Sequence, residues 1–200
     1  MFINSSGLNY LPGRVISLVP SQTELLDYLG LEKETIGITK FCVHPEEWFR
    51  YKTRIGGTKN ADIEKIISLN PDLILCNKEE NLKEQVEILA EKCPVYMSDI
   101  CTYEDALQMI ADVGKITGKA AQAQALINLI KVEFEHLNLQ AKKIRTAYFI
   151  WKNPYMTIGG DTFISDMMDK AGFNNIYKDR ERYPEINMTE LKQLQPEIIL

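Results

Sequence analysis

The feature that most constrains this chain is an internal repeat of a helix, a proline turn and a strand. Residues 62–75 and 187–200 begin 125 positions apart (187 − 62), and each shows a capped helix, the pattern Leu-x-Pro-acid and an aliphatic run. A weaker match relates the segment that opens at Arg14 to the one that opens at Arg145. Helix–proline–strand units are common, so chance is the alternative, but both repeats occur in the same order around one helical stretch. The sequence therefore predicts two related lobes with a ligand cleft between them.

Strand-like and helix-like segments alternate along most of the chain, which is typical of parallel βαβ units. We therefore predict an α/β fold of two Rossmann-like lobes with parallel sheets, joined by one long backbone helix. The predicted domains are an N-terminal α/β lobe (1–102), a helical region with the connecting helix (103–144) and a C-terminal α/β lobe (145–200). In the first lobe a further helix and strand follow Leu75, so we expect the second lobe to be incomplete at the C-terminus and the chain to be a fragment.

Local patterns place the ends of several predicted elements. Ser21 with Glu24 fits a capping box, and Gly30 marks the end of that helix. Residues 41–51 are expected to form a loop, and residues 146–151 a single strand. Apolar residues at helical spacing predict one helix from Lys119 to Lys142, about 36 Å long.

Composition excludes several classes of function. The chain carries 23 basic and 28 acidic residues, a net charge of −5 that gives no attraction to nucleic acid. No apolar run approaches the roughly 20 residues that span a bilayer. The N-terminus has no signal-peptide pattern, so the sequence as given predicts a cytoplasmic protein. None of the four cysteines forms a CxxC pair, and we expect all four to be reduced.

The loops that follow the predicted strands are the expected ligand site, because ligands of open parallel sheets lie beyond the carboxyl ends of the strands. Aromatic side chains in these loops suit a large flat or amphipathic ligand. The predicted ligand-binding residues are Pro20, Ser21, Gln22, Phe41, His44, Trp48, Asn77, Asp99, Trp151 and Tyr155.

Two other kinds of site are alternatives. Cys42 and His44 are two residues apart and would point the same way in extended chain. With a carboxylate such as Glu79 or Asp99 they would form a metal-ion site, which is the first alternative. An enzyme on a related α/β scaffold is the other alternative, but no complete catalytic motif is present.

Several motifs resemble those of cobalamin- and siderophore-type solute-binding proteins, nearest the cobalamin-binding branch. They are residues 14–24 with Leu29-Gly30, residues 63–74, Asn153-Pro154 with Gly159-Gly160, and residues 172–176. The resemblance implies a monomeric binding protein without an intrinsic cofactor. Its ligand would be cobalamin, haem, a ferric siderophore or a metal ion, delivered to the membrane subunit of an ABC importer or to an intracellular acceptor.

The resemblance also implies roles for particular residues. Pro20, Ser21 and the loop from Trp151 to Tyr155 would face the corrinoid, and the carboxylate of Glu64 would dock on the transporter. Family members are periplasmic or lipid-anchored. The loops at residues 41–45 and 56–60 have no counterpart in the family's ligand contacts, which leaves room for a ligand other than cobalamin.

Overall fold

A computed structural model describes residues 1–4, 8–137 and 142–200 of the protein. The chain forms two compact units: unit 1 contains Met1–Asp99 and Gln108–Ile127, and unit 2 contains Ile100–Leu107 and Asn128–Leu200. Each contains parallel strands and helices, which confirms the predicted α/β class. The predicted domain boundaries stay predictions.

Unit 1 is organised around a parallel sheet. Its strands are β1 (Phe2–Ile3), β2 (Val15–Ser17), β3 (Thr35–Ile38), β4 (Thr53–Arg54), β5 (Leu73–Asn77) and β6 (Val95–Ser98). Its helices are α1 (Pro20–Tyr28), α2 (Glu46–Tyr51), α3 (Ile63–Ser68) and α4 (Lys83–Ala90), and it shares α5 (Tyr103–Ile116) and α6 (Ala120–Glu135) with unit 2. Within the described residues the sheet order is β1-β6-β5-β2-β3-β4, and every pair is parallel.

The core of unit 1 lies where α3 and α4 pack on the central strands. All five residues of β5 are buried, as expected for an apolar strand in a parallel sheet. Ile16 of β2 and Ile74 of β5 pack with Ile66 of α3 and Val86 of α4. This packing fixes the carboxyl ends of the strands, from which the predicted ligand loops extend.

Helix ends agree with the sequence patterns at some positions and not at others. Gly30 follows α1 with φ +71°, as predicted, and the Asp62 side chain caps α3 by accepting from the Lys65 amide at 3.1 Å. The predicted Ser21 cap is wrong, since α1 begins at Pro20 and its N-cap is Val19. Proline at the first helical position has no N–H that needs a partner.

Three element boundaries also differ from the predictions. The predicted loop at residues 41–51 contains α2, whose first turn holds two glutamates that favour a helix N-terminus. The predicted strand 146–151 is two strands. Helix α6 ends at Glu135, about 24 Å after its start. Leu137, the last residue of its apolar stripe, lies beyond this end and is 45% exposed. Residues 138–141 of the predicted helix lie outside the described residues.

Unit 2 combines a parallel sheet with an antiparallel pair. Its strands are β7 (Ile144–Ala147), β8 (Phe149–Trp151), β9 (Met156–Thr157), β10 (Phe173–Asn175) and β11 (Ile198–Ile199), and its own helices are α7 (Phe163–Lys170) and α8 (Met188–Leu194). Strands β10 and β11 pair in parallel on either side of β7, whereas β8 and β9 are antiparallel.

Strand pairing agrees with the predicted duplication. In unit 1, β2 lies between β3 and β5, and in unit 2, β7 lies between β10 and β11. Leu73 is opposite Val15, and Ile198 is opposite Thr146. Leu73 and Ile198 are 125 positions apart (198 − 73), the offset of the sequence repeat.

An arginine anchor is present at the amino edge of both sheets. The Arg14 amide donates to the Asp72 carboxylate at 2.9 Å, and the Arg145 amide donates to the Glu197 carboxylate at 3.2 Å. The Arg14 guanidinium also donates to the Leu69 carbonyl at the end of α3. The Arg145 guanidinium likewise donates to the Leu194 carbonyl at the end of α8. We refer to these two sets as the arginine anchors. Their recurrence ties the weaker sequence match at Arg14 and Arg145 to a shared structural role.

Among the helices of the described residues, none combines the length and the apolar character needed to cross a membrane.

Candidate functional site

The carboxyl edge of the unit 1 sheet carries the predicted ligand loops of that unit. Pro20 and Ser21 form the first turn of α1 directly after β2, with Pro20 half-buried and Ser21 exposed. Asp99 follows β6 and forms an ion pair with Lys78 at 2.5 Å. Strands β2 and β6 lie on either side of β5 in one parallel sheet, so the segments that follow them extend from the same edge.

The loop after β3 places its aromatic and sulfur side chains in different environments. Phe41 is 51% exposed, and His44 is also exposed, directly before a cis Pro45. Trp48 is only 2% exposed, because α2 turns its indole into the core. The structure therefore gives no support to a ligand contact by Trp48, whereas Phe41 and His44 are open to solvent.

Cys42 does not share the environment of His44. Its side chain is fully buried, and its Sγ lies 3.1 Å from the hydroxyl oxygens of both Thr23 and Thr39. Across residues 1–4, 8–137 and 142–200, no group of three or more His, Cys, Asp or Glu side chains is placed to hold a metal ion. The metal role predicted for Cys42 and His44, with Glu79 or Asp99, has no further ligand there and stays a prediction.

Two of the predicted ligand residues are buried beneath the loops. Gln22 is 1% exposed, and its amide nitrogen donates to the Cys76 carbonyl at 3.2 Å and to Ser98 Oγ at 2.8 Å. Asn77 is also buried and donates to Ser98 Oγ at 3.1 Å. The neighbouring Cys76 is fully buried, and this burial raises the pKa of its thiol to about 12. Gln22 and Asn77 thus support the loops from below.

The sequence reading missed Asn81, which completes this layer. It is buried and lies four residues after Asn77, where it forms hydrogen bonds with three separate chain segments. A polar residue soon after a buried strand was the only available signal, and that signal is weak.

In unit 2 the predicted residues Trp151 and Tyr155 line one groove of about 790 Å³. The β8–β9 hairpin presents them; Trp151 is 63% exposed, and its indole N–H donates to the Asn153 carbonyl at 3.2 Å. Tyr155 packs edge-to-face on Phe149 with ring centroids 5.7 Å apart. The other lining residues are Phe149, Ile150, Lys152, Asn153, Met188, Leu191 and Ile199. This apolar groove with a few polar groups is typical of a small-molecule site.

A second cavity of unit 2 is polar. It measures about 420 Å³ and lies at the Gly159-Gly160 turn before α7. A side chain on Gly160 would place Cβ 2.1 Å from the Lys178 carbonyl oxygen, so the turn packs too closely for any other residue. In the sequence this turn is one of the motifs that resemble the solute-binding family. Its acidic lining is Asp161, Asp166, Asp169 and Asp179.

An ion pair near the start of α5 perturbs one carboxyl group of unit 2. Lys170 Nζ lies 3.2 Å from Glu104 and 5.0 Å from the ring centre of Tyr103. The pKa of Glu104 is lowered first by a hydrogen bond from its own backbone amide and second by the hydrogen bond from Lys170.

Glu64, the predicted docking carboxylate, is exposed in the first turn of α3. The repeat offset of 125 places Thr189 at the matching position of α8 (64 + 125). The two units therefore differ in charge at this position.

Known relatives match the chain over most of its length. An uncharacterized ABC transporter substrate-binding lipoprotein, YvrC of Bacillus subtilis, is 25% identical over 94% of this chain and 63% of its own length. The vitamin B12-binding protein of Vibrio parahaemolyticus is 25% identical over 93% of this chain and 69% of its own length. The chain thus spans less than two thirds of the first of these relatives.

A solved structure shows the same fold. The periplasmic vitamin B12 binding protein BtuF of Vibrio cholerae superposes with a TM-score of 0.81, covering 94% of this chain and 75% of that chain. At 22% identity this similarity concerns the fold alone.

The family model described as periplasmic binding protein matches residues 15–200. The match agrees with the resemblance seen in the motifs after β2, in α3 and in unit 2. This chain belongs to the periplasmic binding protein family.

Proposed function

We infer that the protein binds a metal chelate such as cobalamin and delivers it to an ABC importer. Cobalamin is the first candidate, since a relative is named as a vitamin B12-binding protein, and haem or a ferric siderophore is the alternative. The observation that carries this proposal is the exposed aromatic groove around Trp151 and Tyr155 in unit 2. A flat macrocycle buries more apolar area against such side chains than a small ion could.

The proposed ligand contacts are the predicted residues whose side chains are accessible. In unit 1 these are Pro20, Ser21, Phe41, His44 and Asp99, and in unit 2 they are Trp151 and Tyr155. Gln22 and Asn77 act from beneath the loops. We propose no intrinsic cofactor and no catalytic residue, in keeping with a binding role.

Ligand addition tests this function directly. Cyanocobalamin and haemin would be titrated into the purified full-length protein, with visible spectra and thermal unfolding as readouts. Ligand at 100 times its Kd stabilises the folded state by about 2.7 kcal/mol. Absence of a spectral change and of a thermal shift with both compounds and with a ferric siderophore would refute the proposal.

A pair of matched variants locates the site. Trp151→Ala should weaken binding, because it removes the most exposed aromatic wall of the groove. Tyr28→Ala is the control, since Tyr28 is a similarly exposed aromatic at the far end of α1, away from the carboxyl edge. Equal affinities for the two variants would exclude the groove as the binding surface.

Docking on the importer is proposed for Glu64. Its exposed carboxylate on α3 can pair with a basic residue of a membrane subunit without disturbing the core. Glu64→Gln should keep ligand affinity and lower ligand-stimulated ATPase activity of the importer. Unchanged ATPase activity would exclude this role.

The name of the YvrC relative favours action outside the cytoplasmic membrane, and cell fractionation of the native gene product tests that location.

A further inference from the structure

Four buried side chains form a continuous polar layer beneath the carboxyl edge of unit 1. They are Gln22, Asn77, Asn81 and Ser98, each at most 8% exposed. We call this set the buried polar layer. Within the described residues, Gln22 Oε1 is the one buried side-chain polar atom of this set with no hydrogen-bond partner. The partners of the other polar atoms show what the layer holds in place.

Asn81 uses its whole amide group to join three segments. Its Nδ2 donates to the Leu18 carbonyl at 3.2 Å and to the Thr58 carbonyl at 3.0 Å. Its Oδ1 accepts from the Asn77 amide at 2.9 Å. These three bonds link the turn before Pro20, the loop after β4 and the loop after β5.

Gln22 and Ser98 extend the same connection to the next strands. The Gln22 amide nitrogen reaches the Cys76 carbonyl at the end of β5 and the Ser98 hydroxyl at the end of β6. Asn77 donates to the same hydroxyl, and its Oδ1 accepts from the amide of Glu79. The first turn of α1, which carries Ser21, and the loop that carries Asp99 are therefore held through one set of bonds.

We propose that Asn81 and Gln22 are positioning residues, which hold the ligand loops of unit 1 in their binding conformation before the ligand arrives. The proposal rests on the proposed function and deepens it. A preformed loop set loses less conformational entropy on binding, so a disrupted layer should weaken affinity even where unit 1 stays folded. It also changes the role predicted for Gln22 from a ligand contact to a support.

The test is Asn81→Asp in the full-length protein. Aspartate has the same shape, but an oxygen replaces the nitrogen that faces the Leu18 and Thr58 carbonyls, so two donors are lost. The Kd for cyanocobalamin and haemin, measured well below the melting temperature, should rise about tenfold, which corresponds to about 1.4 kcal/mol. Amide hydrogen exchange in residues 17–24 and 56–60 should quicken about tenfold as well.

The matched control is Thr35→Val, which removes a buried hydrogen bond at the opposite edge of the sheet. Thr35 is 1% exposed, and its hydroxyl donates to the Leu31 carbonyl at 2.8 Å. This variant should lose thermal stability with unchanged Kd and unchanged exchange in the two loops. If Asn81→Asp does not fold, Ser98→Ala serves instead, because it removes one hydroxyl from the layer.

The outcomes separate this proposal from the proposed function. If the wild-type protein bound neither compound, the proposed function would fail, and loop exchange would still decide whether the layer orders the loops. If the wild type bound but Asn81→Asp or Ser98→Ala kept its Kd and slow exchange, the positioning role would be overturned. Equal losses of affinity in Thr35→Val would overturn it too.

Discussion

Asp72→Asn should weaken unit 1 through the loss of one arm of its arginine anchor. The Asp72 carboxylate accepts from the Gly13 amide at 2.8 Å and from the Arg14 amide at 2.9 Å. Asparagine keeps the shape, but its NH₂ group faces one of these N–H donors, so one hydrogen bond and the charge are lost. A hydrogen bond to a charged group contributes about 1.5–3 kcal/mol. Because Asp72 is only partly buried, we expect the free energy of unfolding to fall by about 2 kcal/mol.

The two tryptophans allow each unit to be followed by itself. The chain has two, Trp48 in unit 1 and Trp151 in unit 2. In a Trp151→Phe background, the emission of the buried Trp48 reports the unfolding of unit 1 in urea. With an m value of about 2 kcal/mol/M, the Asp72→Asn midpoint should fall by about 1 M.

Glu197→Gln is the matched control in unit 2, followed through Trp151 in a Trp48→Phe background. Glu197 accepts from the Arg145 amide at 3.2 Å in an exposed position, so its loss should cost less than about 1 kcal/mol. Equal midpoint shifts in the two units, or no shift for Asp72→Asn, would refute this account of the anchors.

Three further predictions concern chemistry and packing. Iodoacetamide at about pH 8 should label the half-buried Cys101 long before Cys76. The thiolate is the reactive form, and burial raises the pKa of the Cys76 thiol to about 12. Mass mapping of the labelled peptides tests this, and fast labelling of Cys76 in the native protein would contradict it. Folding lowers the pKa of Glu104, so the stability that this carboxylate contributes is present above its ordinary pKa and is lost as the pH falls through the lowered value. Lys170→Met should raise the pKa of Glu104 in an NMR titration. An unchanged pKa would rule out the pairing with Lys170. Gly160→Ala places Cβ 2.1 Å from a facing carbonyl oxygen and should destabilise unit 2 by about 1–3 kcal/mol in urea, whereas unchanged stability would show that the turn can shift.

The alternation of strand-like and helix-like segments was sufficient to predict the α/β class, and the repeat predicted the capped helix α3. Asp62 caps α3 and Asn187 caps α8, as side chains that accept from an amide three residues on. These features depend on neighbours along the chain, so local patterns reveal them. The motifs of α1 and α3 likewise predicted the family.

The candidate site depended more on contacts between distant residues, which local patterns do not reveal. Trp48 was predicted to be a loop aromatic, but it lies in α2 and its side chain is buried. Gln22 was predicted to contact the ligand, but its side chain is buried and its hydrogen-bond partners lie 54 and 76 residues away in the sequence. Asn81 has a partner 63 residues away and carries no motif of its own. Burial and long-range hydrogen bonds distinguish a residue that supports the loops from one that is open to a ligand. Both properties are known only once the three-dimensional structure is known.

The arginine anchors lie at the amino edge of each sheet, and the proposed ligand loops lie at the carboxyl edge. The length of β5, about 17 Å, separates the two edges in unit 1. Mutations that alter ligand preference can therefore accumulate at one edge without eroding the stability supplied at the other. The two copies illustrate this division: both keep the anchor, while a short turn follows β2 and a whole hairpin follows β7. A descendant of this chain could acquire a new cargo by loop replacement alone.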